Sequence, residues 1–246
     1  MGYHESLTEG RNAVLEAFRS GKTVDRLFVL DGCQDGPVKT ILREAKKQDT
    51  MVQYVKKERL DQLSETKNHQ GVIAYCAACE YAEVSDILEN AKKKGEAPFI
   101  VLLDGIEDPH NLGAIIRTAN QAGAHGVIIP KRRAVGLTAT VARTSAGAVN
   151  YTPVAKVTNL VTVMEDLKKE GMWFVCADMD GEEMYSLNLK GPIGLVIGNE
   201  GEGVSRLVKE HCDMVDSIPM KGDIDSLNAS VAMGVLAYEI VRQRRF

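Results

Sequence analysis

The sequence has few aromatic residues, no excess of basic charge and no long apolar run, and each absence excludes a class of protein. Aromatic residues make up 5% of the 246 residues, and 30 basic side chains are outnumbered by 34 acidic ones. The net charge of -4 excludes a strongly basic protein that coats polyanions without selectivity, although a local basic site remains compatible with it. No apolar run reaches the length of about 18 residues that a membrane-spanning helix needs.

Signals for secretion and for metal binding are also absent. The first residues contain neither a basic leader nor an apolar signal core, so we expect a cytoplasmic protein. The five cysteines are scattered and odd in number, which favours reduced thiols. Cys76 and Cys79 form one CxxC pair, but no second ligand pair follows at zinc-site spacing. We therefore predict no metal and interpret the pair as the end of an apolar strand, with a metal site as the alternative.

The glycine motifs that bind nucleotide phosphates are missing as well. Neither GxGxxG nor GxxxxGK[ST] occurs, which disfavours a Rossmann oxidoreductase. With 44% hydrophobic and 26% charged residues, the composition is that of an ordinary globular protein. The length suits one large domain, or a small module joined to a medium one.

Alternating apolar runs and helical periodicities predict an α/β protein of two domains. Residues 1–80 form the pattern of a compact α/β module, and residues 81–97 have a helical, charged pattern that predicts a linker and hinge. In residues 98–246, continuously apolar strands alternate with helices, which predicts a mainly parallel sheet covered on both faces. Ligands of such open sheets bind at the carboxyl ends of the strands.

A first candidate motif follows the apolar strand that ends at Asp104. Pro109 disfavours helix for the residue before it, and Asn111 then occupies the position expected for an N-cap, ahead of a helical apolar stripe. Arg117 lies beside that stripe, so its guanidinium can reach the end of the sheet. Taken alone, the segment favours a simpler interpretation, in which Asn111 only caps the helix and Arg117 forms a surface ion pair.

The second motif is the glycine-rich loop within residues 194–208. An apolar strand leads directly into Gly198, Gly201 and Gly203, with Glu200 between them. The acidic side chains make this loop a poor cradle for phosphate, whereas its bare backbone suits a neutral or cationic cofactor. A tight turn that enters a helix is the alternative.

The third motif brings polar residues to the start of the final helix. The loop KGDIDSLN delivers Ser226 and Asn228 to a helix N-terminus, where free amides cluster. The helix that begins near Leu227 is apolar on all sides, and such a helix must be buried on all sides. A subunit interface is therefore expected along it.

Together and in this order, the three segments resemble the signature motifs of the SpoU (TrmH) family of RNA 2′-O-ribose methyltransferases, in the SPOUT class. The resemblance spans residues 98–246, while EGRNAV and NHQGV within residues 8–80 are similar to the small ribosomal-protein-like substrate-binding domain of a subset. The layout most resembles the RlmB-type enzymes, which modify a guanosine of 23S rRNA. The family implies an S-adenosylmethionine site, a homodimer and a C-terminal trefoil knot, and periodicity cannot show a knot.

The resemblance also implies roles for individual residues. The catalytic positions correspond to Asn111, Arg117, Glu200, Ser226 and Asn228, and the cofactor positions to Gly198, Ile218 and Leu227, with backbone from Thr144 to Gly147. Because arginine stays protonated, we interpret Arg117 as a clamp on an RNA phosphate that also stabilises the developing alkoxide. Glu200 or the substrate's own phosphate then accepts the proton, and the amide and hydroxyl side chains orient these groups.

Local basic side chains are expected to hold the RNA. The candidates are Arg11 in the first module and Lys131, Arg132, Arg133 and Arg143 in the second. A loop or single-stranded target is expected, because a stacked, base-paired ribose is hard to reach. The alternatives are a tRNA loop ribose, another rRNA residue, a resistance-type methyltransferase and a non-catalytic RNA-binding assembly factor. The complete set of polar motif residues favours an enzyme.

Overall fold

The computed structural model describes residues 6–223 and 226–245. The chain divides into two compact units, of which the smaller contains the chain through Glu80 and the segment Gly136–Ala139. The larger unit contains Tyr81–Val135 and the chain from Thr140 onward. Ile224 and Asp225, in the loop of the third motif, lie outside the described residues.

The smaller unit is a four-stranded mixed sheet with helices packed on it. Its elements are β1 (Ser6–Glu9), α1 (Arg11–Arg19), β2 (Val24–Leu30), α2 (Gly36–Lys47), β3 (Met51–Val55), α3 (Lys57–Leu63) and β4 (Val72–Cys76). The strand order is β1-β4-β2-β3, and β2 and β3 are its parallel pair. Because side chains alternate along a strand, Leu27 joins the core cluster that contains Val14 and Ile41, whereas Phe28 packs with Leu60.

The larger sheet has six strands, all parallel, in the order β10-β8-β9-β5-β6-β7. The remaining elements in chain order are α4 (Val84–Lys94), β5 (Phe99–Asp104), α5 (Pro109–Gln121), β6 (Gly126–Pro130), α6 (Ala139–Thr144), β7 (Val154–Val157), α7 (Leu160–Lys169), β8 (Trp173–Glu183), β9 (Ile193–Gly198), α8 (Arg206–Glu210), β10 (Met214–Ser217) and α9 (Ala229–Arg245). Successive residues of β9 are all buried, so both faces of the sheet are covered. The predicted α/β class with a parallel sheet is confirmed, and the trefoil knot stays a prediction.

The segment predicted as a linker, residues 81–97, includes α4, and this helix packs within the larger unit. Ile87 is fully buried in the same core cluster as Ile100 and Phe174. A Cβ placed on Gly126 of β6 would lie 2.5 Å from the Ile87 side chain, so this glycine gives α4 its close contact with the sheet. The charged end of the segment is consistent with this packing, because the lysines of the last helical turn are exposed.

The final helix, α9, is not buried on all sides within the chain. It packs on α5 and β9 through a face that includes Met233, Leu236 and Ile240. On another face, Val231 and Tyr238 are 49% and 52% exposed. None of the helices in the described ranges combines the length and apolar character of a membrane span.

Candidate functional site

The carboxyl ends of β5 and β9 open onto a cavity of about 430 Å³. The two strands run in register up to the pair Asp104 and Gly198, so the loops that follow them leave the sheet side by side. The lining residues come from both loops, the start of α5 and one residue after β6, namely residues 104–108, Asn111, Arg133, residues 199–203 and Ser205. The cavity therefore lies where an open parallel sheet binds its ligands.

Charge in the cavity is strongly unbalanced. Among the residues that the structure describes, five carboxylates line it, and they belong to Asp104, Glu107, Asp108, Glu200 and Glu202. Within the same residues, Arg133 is the single basic one in the lining. In the described part of the chain, no group of three or more His, Cys, Asp or Glu side chains is arranged to hold a metal ion. The lining suits an organic ligand with positive charge.

The two loops are tied to each other by hydrogen bonds and close packing. Asp104 Oδ2 accepts a hydrogen bond from the Ser205 backbone amide at 2.8 Å. Gly105 has a φ of +80°, and a Cβ there would lie 2.9 Å from Asn199 Nδ2, so both its conformation and its close contact favour glycine. Asn199 Oδ1 in turn accepts from the amides of Gly201 and Glu202, at 2.9 and 2.7 Å, and shapes the second loop.

The N-terminus of α5 corrects one prediction from the sequence. Asp108, not Asn111, is the N-cap: its backbone is extended, its Oδ1 accepts from the His110 amide at 2.8 Å, and Pro109 begins the helix. The N-cap prediction for Asn111 is wrong because the residue before the proline already caps the helix. Asn111 lies in the first turn and is buried, with 8% exposure. Because Asp108 caps the helix, the side-chain amide of Asn111 is free for other contacts.

Three predicted catalytic residues meet at this cavity. Asn111 Nδ2 donates to Glu200 Oε1 at 2.9 Å, and Asn228 Nδ2 donates to Asn111 Oδ1 at 3.0 Å. Asn228 Nδ2 also contacts Glu200 Oε1. Asn228 is held by Ser230, whose amide and hydroxyl donate to its Oδ1 at 3.0 and 2.6 Å. One residue from each of the three motifs thus enters a single hydrogen-bonded group, the cavity network (Asn111, Glu200 and Asn228).

The other two predicted catalytic residues do not join this network. Arg117 is exposed on α5 and does not line the cavity, and its guanidinium has no hydrogen bond or ion pair with any residue that the structure describes. Ser226 is exposed, and no hydrogen bond joins it to Asn111, Glu200 or Asn228.

Among the predicted cofactor positions, two glycines have local structural roles. A Cβ on Gly198 would lie 2.0 Å from the backbone of Gly203, so the closure of the second loop requires a residue without a side chain. Gly147 has a φ of +84°, which also favours glycine. Ile218 and Leu227 are partly buried and do not line the cavity. A role in cofactor binding stays a prediction for all four.

Thr144, the remaining cofactor candidate, is already engaged through its side chain. Its hydroxyl donates to the Thr140 carbonyl at 2.9 Å and lies 3.3 Å from the Pro109 carbonyl. A Cβ on Gly113 would lie 1.8 Å from that hydroxyl oxygen. Thr144 therefore fixes the segment after β6 against the start of α5, and its backbone remains the candidate for ligand contact.

The predicted RNA-binding residues differ in their exposure and in their contacts. Arg11 forms an ion pair of 2.6 Å with Asp35 and donates from Nε to the Gln70 carbonyl at 3.1 Å. Arg143 donates to Thr140 Oγ1 at 3.1 Å and is exposed. Arg132 is exposed and Lys131 is partly buried; neither lines the cavity, whereas their neighbour Arg133 does.

Sequence reasoning missed Asp104 and Asn199 as organisers of the site. Both stand at strand ends next to glycine, and this position beside a sharp turn is the signal that could have identified them. It also missed Asp216 of β10, which is fully buried with no well-formed hydrogen bond to either carboxylate oxygen. Burial and the neighbouring charge of Glu239 raise the pKa of Asp216 to about 7, against an opposing contribution from the Ser217 amide. No local pattern marks such a residue.

Comparison with protein families matches both units of the chain. Residues 98–238 match the SpoU rRNA Methylase family, and residues 7–82 match the family described as RNA 2′-O ribose methyltransferase substrate binding. A similar sequence is the TrmH family tRNA/rRNA methyltransferase YacO of Bacillus subtilis, which is 49% identical over 237 residues, or 96% of this chain and 94% of the relative.

Solved structures with a similar fold also extend over both units. The SpoU methyltransferase AviRb from Streptomyces viridochromogenes, in complex with AdoMet, matches with a TM-score of 0.62 and 27% identity over 98% of this chain and 91% of that one. An RNA 2′-O ribose methyltransferase matches with a TM-score of 0.56 and 26% identity over 99% of this chain and 90% of that one. The likeness therefore covers the sheet, the cavity loops and the smaller unit alike.

Proposed function

Because the chain belongs to the SpoU methylase family and is an S-adenosylmethionine-dependent RNA 2′-O-ribose methyltransferase, we propose that it methylates a guanosine ribose of 23S rRNA in the cytoplasm. The observation that carries the proposal is the cavity network at the ends of β5 and β9. The family matched by residues 98–238 is described by its action on rRNA, and the smaller unit matches a substrate-binding domain.

The proposed cofactor contacts are Gly198, Ile218, Leu227 and the backbone from Thr144 to Gly147, and none of these residues lines the cavity. Gly198 directly precedes the glycine loop that forms one cavity wall. The carboxylates of that wall give the neighbouring region a negative charge, which favours a cationic cofactor there. When bound, the cofactor supplies a methyl group that is activated by a positively charged sulfur.

Glu200 is the proposed proton acceptor. Asn111 and Asn228 both direct their amide groups at its Oε1, which fixes the carboxylate. No donor in residues 6–223 or 226–245 contacts Oε2, so this oxygen can face the substrate. Oε2 would accept the 2′-hydroxyl proton as the ribose oxygen is methylated. Asn111, Asn228 and Ser226 act as positioning residues.

Arg117 keeps its proposed role as a phosphate clamp outside the lining of the cavity. Its guanidinium is exposed and has no partner in the described ranges, so it is available to an external anion. A guanidinium matches phosphate with two parallel hydrogen bonds. Lys131, Arg132, Arg133 and Arg143 are proposed to hold further RNA, and residues 1–80 are proposed as the substrate-binding domain, with Arg11 as its candidate contact.

A homodimer is proposed through α9. Val231 and Tyr238 are exposed on α9, and their apolar area would be covered in a subunit interface. Sedimentation equilibrium of the purified chain tests this: a mass twice 26.9 kDa is expected, and a monomer at micromolar concentration contradicts it.

Ribose-methylation mapping of all rRNA and tRNA, from cells with and without the gene, tests the substrate. We expect one guanosine of 23S rRNA to lose its 2′-O-methyl group, and the purified chain to restore it with tritiated S-adenosylmethionine. Loss at a tRNA ribose instead would overturn the rRNA proposal and leave the reaction class intact. RNA binding without methyl transfer would favour the assembly-factor alternative.

A further inference from the structure

An RNA backbone and this cavity repel each other unless a cation lies between them. Every nucleotide brings a phosphate charge, and the cavity already holds five carboxylates. The ribose that reacts must nevertheless approach Glu200, which is one of the five. Arg117 does not supply the missing charge inside the cavity, because it is absent from the lining.

Arg133 is a cationic residue that lines the cavity. It belongs to the segment that follows β6, and both ends of this segment are fixed by backbone hydrogen bonds. The Lys131 amide donates to the Val157 carbonyl at 2.8 Å, and the Val135 amide donates to the Ile106 carbonyl at 3.0 Å. Because Ile106 itself lines the cavity, the second bond attaches the Arg133 segment to the cavity wall.

The conformation and the freedom of Arg133 both point to a ligand. Its φ is +52°, in the left-handed region that a residue other than glycine or asparagine adopts at a cost in free energy. Its guanidinium is exposed and, in the described ranges, makes no ion pair with any of the five carboxylates that share the cavity. A strained residue whose cation stays unpaired beside acidic groups is suited to bind an anion from outside.

We infer that Arg133 binds the RNA phosphate next to the ribose that is methylated, and so sets that ribose beside Glu200. The inference rests on the proposed function, since it requires RNA as the substrate. The planar guanidinium can hold two phosphate oxygens at once, which fixes the orientation of the nucleotide as well as its position. Arg117 and Arg133 then bind different phosphates.

The variant Arg133→Gly tests the inference, because glycine adopts the same φ without strain and removes only the side chain. Lys190→Gly is the control, since Lys190 is an exposed cation in the loop before β9, at the opposite end of that strand from the cavity, and has no proposed role in RNA binding. We expect Arg133→Gly to raise KM for the RNA about 10–100-fold and to leave KM for S-adenosylmethionine within about twofold. The slope of log kcat/KM against log salt concentration should become shallower by about 0.7–0.9 log units per log unit, which is the contribution of one neutralised phosphate. Arg133→Lys should recover part of the loss.

A single uncharged linkage in the RNA distinguishes direct contact from a structural effect. A fragment that contains the mapped nucleotide, with a methylphosphonate at the phosphate on either side, is assayed with both enzymes. One of the two substitutions should lower kcat/KM of the wild type about as much as Arg133→Gly does, and should have no further effect on that variant. Additive losses, or equal behaviour of Arg133→Gly and Lys190→Gly, would overturn the inference alone. A wild-type enzyme that methylates no RNA would overturn the proposed function and, with it, this inference.

Discussion

Two hydrogen-bonded networks of the larger unit use the same kinds of side chain and differ in how fully they are satisfied. In the cavity network, Glu200 receives both amides on one oxygen and keeps the other without a donor in the described part of the chain. At the end of α9, Gln243 uses both ends of its amide: Oε1 accepts from the Leu189 amide at 2.8 Å, and Nε2 donates to Leu187 and Glu239. The first network retains capacity for a ligand, and the second has little left.

Arg242 also donates to Glu239, and Arg244 lies at the same end of α9 with separate hydrogen bonds of its own. We call these four residues, Glu239, Arg242, Gln243 and Arg244, the helix-end network. The guanidinium of Arg244 donates to the carbonyls of Ala97, Pro98 and Gly191 at 3.0, 2.9 and 2.7 Å. These carbonyls precede β5 and β9, so the helix end fixes the same two strands that carry the cavity at their other ends. Among the described residues, the buried Nε of Arg244 has no partner, so the guanidinium is satisfied at its two terminal nitrogens. Buried polar groups bonded within the chain stabilise the fold, whereas an exposed group with a free position, such as Glu200 Oε2, is available for chemistry.

The largest effect is expected from Glu200→Gln. The amide keeps the shape of the side chain but cannot accept the proton, so kcat should fall about 1000-fold. The melting temperature should stay within about 2 °C, because the residue is exposed and the cavity network can still form. Single-turnover methyl transfer measures the rate. Glu202→Gln, on the same cavity wall, is the control and should keep at least a third of the activity; equal losses in both variants would assign the effect to charge alone.

Arg244→Met tests a residue that we expect to stabilise the fold without taking part in catalysis. Three carbonyls lose their donor, and the packing of the guanidinium on the Phe99 ring, 5.5 Å from its centroid, is lost. We expect the free energy of unfolding to fall by about 3 kcal/mol, while kcat at 20 °C changes less than threefold. Urea denaturation of this variant and of Arg245→Met, its exposed neighbour, measures the difference. If Arg244→Met lowered kcat as strongly as Glu200→Gln, the separation of the two networks would be wrong.

Asp216, whose buried carboxylate oxygens have no well-formed hydrogen bond and which lies near the charge of Glu239, gives the smallest effect. Since folding raises its pKa from 3.8 to about 7, the folded chain keeps a proton that the unfolded chain releases, and stability falls as pH rises through that interval. Asp216→Asn should therefore stabilise the protein by about 2 kcal/mol near pH 8 and have little effect near pH 4. Thermal unfolding across this range measures it, with the exposed Asp180→Asn as control. A constant difference at all pH values would exclude ionisation of Asp216 as the cause.

Much of the larger unit could be predicted because its strands are continuous apolar runs. FIVLLD and GVIIP have no competing interpretation in a chain with alternating helices, and both form strands, β5 and β6. β1 was not predicted, because Ser6–Glu9 has a single strongly apolar residue and owes its extended form to pairing with β4. Local pattern identifies elements that bury their own side chains and misses those defined by a partner.

The candidate site divides in the same way. The motifs predicted Asn111, Glu200 and Asn228 as a group, and the structure brings them together across separations of 89, 28 and 117 residues. Neither the placement of Arg133 in the cavity, with Arg117 outside it, nor the burial of Asp216 could be predicted. Both depend on where a loop returns to the sheet, which is a property of tertiary packing.

One consequence of α9 concerns the order in which the protein matures. This helix follows every described strand of both sheets in the chain. Asn228, just before its first turn, completes the cavity network. Arg244, in its last turn, binds the backbone at the ends of β5 and β9 opposite the cavity. During synthesis, the sheet can therefore collapse before its reaction centre exists. A nascent chain stalled before α9 is expected to be compact but inert, so that activity itself reports that translation has passed this helix.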